Sequence, residues 1–190
     1  MKRAPLKELM HTLTLLLLIP IAHGAWTGFD LVRPWVGGYG SSGTTPWKKI
    51  STDMGGAMPA LKADSFFGGA VTYISDNSAP GRFKIAVGAY GESSYTVFGP
   101  YNGTEQKLAG AVYILTLDGQ MNVEASVRIS GDSGNGPPLF ENDNFGYAVS
   151  YLGDLDGDGI GDIAVGAPGA IFSATWLLFL NIDGTVKKRK

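Results

Sequence analysis

The sequence repeats itself at a fixed offset. Phe67-Gly68-Gly69-Ala70-Val71-Thr72-Tyr73-Ile74 is echoed 78 residues later by Phe145-Gly146-Tyr147-Ala148-Val149-Ser150-Tyr151-Leu152. Ile85-Ala86-Val87-Gly88-Ala89 is echoed at the same offset by Ile163-Ala164-Val165-Gly166-Ala167. Self-similarity of this kind sets the architecture before any local propensity does. Within each unit the runs are β-branched or alternate apolar with polar residues, which is strand patterning. The second halves match as well. Gly110 to Leu115 leads to Asp118-Gly119, a hairpin signal, and then to an alternating run from Val123 to Ile129. Thr175 to Leu180, Asp183-Gly184 and Val186 repeat this at an offset of 65, so the first unit carries 13 more residues in the loop around Tyr90 to Leu108.

Between the two strand-like runs of the second unit lie Asp154, Asp156, Asp158 and Asp162, at loop positions 1, 3, 5 and 9. Glycines at 157, 159 and 161 permit the tight left-handed turns that let alternate side chains converge. Like charges this close repel, and nothing basic lies within the loop. Hard oxygen ligands at alternate positions suit Ca²⁺, and the carbonyl of Ile160, at position 7, is a further candidate oxygen. An EF-hand would close with a bidentate Glu at position 12 between two helices. Here position 12 is Val165, and the flanks Ala148–Leu152 and Ile163–Val165 read as strand. A strand–loop–strand calcium site is the expectation, against an Asp/Gly-rich surface turn that holds nothing. The equivalent loop of the first unit keeps only Asp76; Ser78, Pro80 and Lys84 stand where the other three carboxylates would be. It is expected to hold no ion, with the Lys84 ammonium hydrogen-bonded to loop oxygens instead.

Phe145-Gly146, the D-x-D-x-D-G-x-x-D loop and Gly166-Ala167-Pro168 occur in that order and at a spacing that resembles the FG-GAP repeat of the integrin α-chain β-propeller and its bacterial relatives. The resemblance implies that each repeat is a four-stranded antiparallel blade whose loop joins its first two strands and holds Ca²⁺. The expected fold is all-β: a partial β-propeller of two FG-GAP blades plus an N-terminal strand, part of a larger propeller. Lys49-Ile50-Ser51 resembles Arg128-Ile129-Ser130 and is expected as the outer strand of a preceding blade. The organisation read from the chain is a signal peptide at 1–24, an N-terminal segment at 25–51, a first repeat with a degenerate loop at 52–130, and a second repeat with an intact loop at 131–190.

Residues 1–24 have the composition of a secretory leader: Lys2, Arg3 and Lys7, an apolar stretch from Leu13 to Ile21, and small residues at Ala22 and Gly24 before Ala25. That apolar stretch falls short of the roughly 20 residues a membrane span needs. Both histidines, His11 and His23, lie in the leader, and the chain has no cysteine. The secreted remainder would then lack the groups for a Ser-His-Asp triad, a Cys nucleophile, a His/Cys zinc site or a disulfide. The whole chain carries a net charge of −2, and the leader removes three basic residues against one acid, Glu8, leaving a mildly acidic surface unsuited to nucleic acid. The basic tail, Lys187 to Lys190, reads as a solvated end. Trp26, Trp35 and Trp47 read as packing anchors rather than a sugar platform.

The sequence therefore points to a secreted or cell-surface, non-catalytic, calcium-binding module for recognition or adhesion. Its partner would be an extracellular protein or glycan, with self-association through open blade edges. A carboxylate-based glycosidase-like hydrolase and a scaffold without its own ligand are the alternatives. Asn102-Gly103-Thr104 is a glycosylation sequon in a eukaryotic source.

Overall fold

The computed structural model describes residues 48–52, 57–58, 60–74, 81–95, 102–169 and 173–189, all within the compact unit Thr45–Lys190. The leader, the three N-terminal tryptophans, and Asp76, Ser78 and Pro80 lie outside the described residues. The described residues form ten strands: β1 (Phe67–Ile74), β2 (Phe83–Ala89), β3 (Ser94–Tyr95), β4 (Glu105–Gln106), β5 (Ala111–Leu117), β6 (Val123–Ile129), β7 (Ala148–Gly153), β8 (Asp162–Ala167), β9 (Ala174–Leu180) and β10 (Val186–Arg189). They form two four-stranded antiparallel sheets, ordered β1-β2-β5-β6 and β7-β8-β9-β10, and a small β3–β4 ribbon. The fold is all-β, as two blades of a propeller require. The ribbon occupies the longer loop of the first repeat, so the extra 13 residues were inserted without disturbing blade order.

Strand β5 is a continuous apolar run from Ala111 to Leu115, for a clear reason. Ala111, Val112, Tyr113, Ile114 and Leu115 are all buried. A strand covered on both faces reads as a continuous apolar run. Val112 and Ile114 face a cluster shared with the second sheet, including Phe145, Ile163, Val165, Leu178 and Leu180. Ala111, Tyr113, Leu115 and Leu117 face a second cluster completed by Ile50, Met58 and Leu61. Residues 48–52 form no strand, so the strand expected at Lys49-Ile50-Ser51 is replaced by irregular chain. That chain still covers the first sheet: Ala57 N–H donates to the Val123 carbonyl, and Lys48 Nζ donates to Gln120 and Asn122.

The FG segment of the second repeat meets the first sheet backbone to backbone. Phe145 is fully buried, its N–H donates to the Ala109 carbonyl at 2.9 Å, and it bridges in parallel to Gly110. Gly146 has φ +92°, and a Cβ there would sit 2.3 Å from the Ala111 carbonyl oxygen. A Cβ on Gly88 would sit 2.0 Å from the Gly146 carbonyl oxygen. These glycines let two backbones touch, which any side chain would prevent.

A polar network fastens the ribbon to the first sheet. Arg128 Nε donates to Glu92 at 2.9 Å, its other nitrogens donate to Asp132 and the Ser93 carbonyl, and Tyr113 donates to Glu92 at 2.6 Å. Burial pushes the Asp132 carboxyl up, but donors from Ser130, Arg128 and the Tyr95 N–H outweigh it and hold the group below its ordinary range. A depressed carboxylate stabilises the fold above its unfolded value of about 4 and loses that contribution as pH falls through its folded value. Thermal unfolding followed from neutral pH to about pH 2 should therefore show a shallower acid limb in Asp132→Asn than in the parent. Superimposable pH profiles would contradict this assignment.

Candidate metal centre

The acid loop joins β7 to β8, as the repeat pattern requires. Asp154 organises its first half. Its carboxylate accepts the N–H groups of Gly157, Asp158 and Gly159 at 2.7, 3.1 and 2.7 Å. This wraps the chain about position 1, and Gly157 and Gly159, at φ +78° and +86°, supply the left-handed turns. Gly161 differs from expectation: it lies outside that region, and a Cβ there would meet the Tyr151 ring at 2.4 Å. Its role is close approach. Asp158 accepts the Ile160 N–H at 2.9 Å, and the Ile160 side chain packs against the core, pinning the loop from below.

Asp162 opens β8 and is buried, at 1% exposure. It accepts Leu155 N–H at 2.9 Å and Leu180 N–H at 3.1 Å, tying loop, strand and β9 together. Burial pushes its carboxyl up. The two N–H donors oppose this, and the Asp156 and Asp158 charges reinforce it.

The structure brings three of the four carboxylates together. Ligand oxygens of Asp154, Asp156 and Asp162 all lie within 4.8 Å of one another. Two oxygens sharing one Ca²⁺ at 2.3–2.6 Å can be no more than about 5 Å apart, so the donor set fits a hard divalent cation. Asp158 is outside this group. It pairs instead with Lys187, whose Nζ lies 2.7 Å from Asp158 and 2.9 Å from Asp156. These pairs lower the Asp158 carboxyl and raise the Lys187 ammonium.

Lys187 was missed by sequence reasoning, which placed it in a solvated tail. It lies 29 residues beyond Asp158 in the chain, at a break in the β9–β10 register: Val186 faces Leu180 and Lys188 faces Phe179, leaving Lys187 as the extra residue. Such bulges re-aim a side chain. The basic tail itself was the only available signal.

Lys84 is buried, at 7% exposure, and its Nζ donates to the Ile182 carbonyl at 2.8 Å. The ammonium at position 9 of the first loop does hydrogen-bond a carbonyl, but one in the β9–β10 turn of the second repeat. Asn102 is exposed in a turn. Among the described residues no helix is long and apolar enough to cross a membrane.

Residues 145–186 match the family model described as the FG-GAP repeat. The chain is 32% identical to integrin alpha-PS5 of Drosophila melanogaster over 111 residues, 58% of this chain and 10% of that protein. It is 30% identical to integrin alpha pat-2 of Caenorhabditis elegans over 145 residues, 70% of this chain and 11% of that protein. The chain thus spans about a tenth of the length of these curated relatives. It is an FG-GAP repeat protein that resembles integrin α chains, and its two sheets correspond to part of a propeller.

Proposed function

We propose that this chain is a secreted or cell-surface recognition or adhesion module whose second FG-GAP loop is clamped by one Ca²⁺, and that it is not an enzyme. The observation that carries the reading is the convergence of Asp154, Asp156 and Asp162 at the β7–β8 turn. Asp158 and the Ile160 carbonyl complete the proposed ligand set. The ion would supply positive charge where burial and repulsion disfavour the Asp162 carboxylate, fixing the loop to β8 and β9. The family match and the integrin α relatives support extracellular recognition of a protein or glycan ligand, and the leader-like residues 1–24 support secretion. The carboxylates are committed to each other, to backbone N–H groups and to Lys187, which gives a structural clamp rather than a catalytic pair.

Extracellular calcium modules bind with Kd on the order of 10⁻⁴ to 10⁻³ M. At ten times Kd, binding stabilises the fold by roughly 1.4 kcal/mol. For a chain of this size that is about 3–6 °C in melting temperature. Melting the full chain with millimolar calcium and again with excess chelator should show that drop, reversed by Ca²⁺ and less completely by Mg²⁺. Unchanged melting in chelator would reduce the cluster to an Asp/Gly-rich turn.

A further inference from the structure

We propose that Lys187 is a tethered counter-cation of the acid loop, which competes with calcium for Asp156 and Asp158 and so sets the affinity of the site. The inference rests on the calcium reading above and concerns its regulation. Three observations carry it. Lys187 Nζ lies within hydrogen-bond distance of both carboxylates, at 2.9 and 2.7 Å. Asp156 also belongs to the converging set with Asp154 and Asp162, so one carboxylate faces two cations. The β9–β10 bulge places Lys187 out of register, aiming it past β9 at the loop between β7 and β8.

An ammonium and a divalent cation sharing Asp156 would stand only a few ångströms apart, and like charges at that range repel. Calcium entry therefore displaces the Lys187 ammonium. The displacement is local. Val186, the neighbouring residue, is buried at 2% exposure and holds β10 in the core while the Lys187 side chain swings away. Without calcium the ammonium neutralises part of the acid cluster, which relieves the repulsion that would otherwise open the loop. The same residue thus supports the ion-free loop and weakens ion binding, two effects of opposite sign.

Calorimetric titration of the full chain with Ca²⁺ reads both. Lys187→Met should bind calcium about tenfold more tightly, the scale expected for losing two partly exposed ion pairs and one repulsive charge. It should also melt at a lower temperature than the parent in chelator. Lys187→Arg, which keeps the charge, should bind like the parent. Equal or weaker calcium affinity in Lys187→Met, with the parent still binding, overturns the inference and leaves the calcium reading standing. Absence of binding in both proteins overturns the two together.

Discussion

Phe145→Ala should unfold both sheets together and lower the melting temperature by roughly 6–20 °C, from a loss of about 3–5 kcal/mol. Phe145 has no exposed surface, and its cluster draws Val112, Ile114 and Ile129 from the first sheet and Ile163, Val165, Leu178 and Leu180 from the second. Truncation leaves a cavity at the blade-to-blade contact. Collapse around it is limited, because Phe145 backbone is bonded to Ala109 and touches Gly110, where a Cβ would lie 2.1 Å from the Phe145 carbonyl oxygen. The loss is a large share of a typical stability of about 5–15 kcal/mol. Tyr73, from the matching motif of the first repeat, is 53% exposed. Tyr73→Ala should cost only about 0.5 kcal/mol or less. Differential scanning calorimetry showing equal losses for the two variants, or separate transitions for the two sheets in Phe145→Ala, would contradict this view of the interface.

Asp156→Ala and Asp162→Ala should both weaken calcium binding by on the order of 100-fold, since ligand charge sets affinity in such loops. They should differ in the ion-free protein. Among the described residues Asp156 takes no backbone bond; it is held by side chains, those of Lys187 and Asp158. Its removal should leave the melting temperature in chelator nearly unchanged. Asp162 is buried and holds two N–H groups, those of Leu155 and Leu180. Its removal leaves the buried Leu180 donor unpaired, at about 1–3 kcal/mol. Asp162→Ala should therefore melt well below the parent even in chelator. Loss of binding without that destabilisation would show that the Asp162 bonds contribute little to the fold.

The offset of 78 and the strand patterning correctly predicted the β1–β2 and β7–β8 pairs, and Asp118-Gly119 and Asp183-Gly184 marked real hairpins. These signals are local, so a single sequence displays them. The acid cluster of the β7–β8 loop was legible for the same reason: its carboxylates lie close together in the chain. What escaped notice depends on contacts between distant segments. Lys187 reaches Asp158 only through a bulge, and Lys84 reaches Ile182 across 98 residues. Lys49-Ile50-Ser51 has strand-like residues, yet it lies as irregular chain over the first sheet, so a resemblance of three residues carried no pairing information. Gly161 has the look of a left-handed turn residue in the sequence, yet the close Tyr151 ring is what requires it.

On the proposed reading this chain has one cation-binding loop, and a first loop that keeps only Asp76 of the four carboxylates and binds none. Titrating the full chain with Ca²⁺ by isothermal calorimetry tests that most directly. One site per chain, with Kd on the order of 10⁻⁴ to 10⁻³ M and lost in Asp156→Ala, is the predicted result. Two equivalent sites, or saturable binding that survives Asp156→Ala unchanged, would contradict it, as would no binding at all.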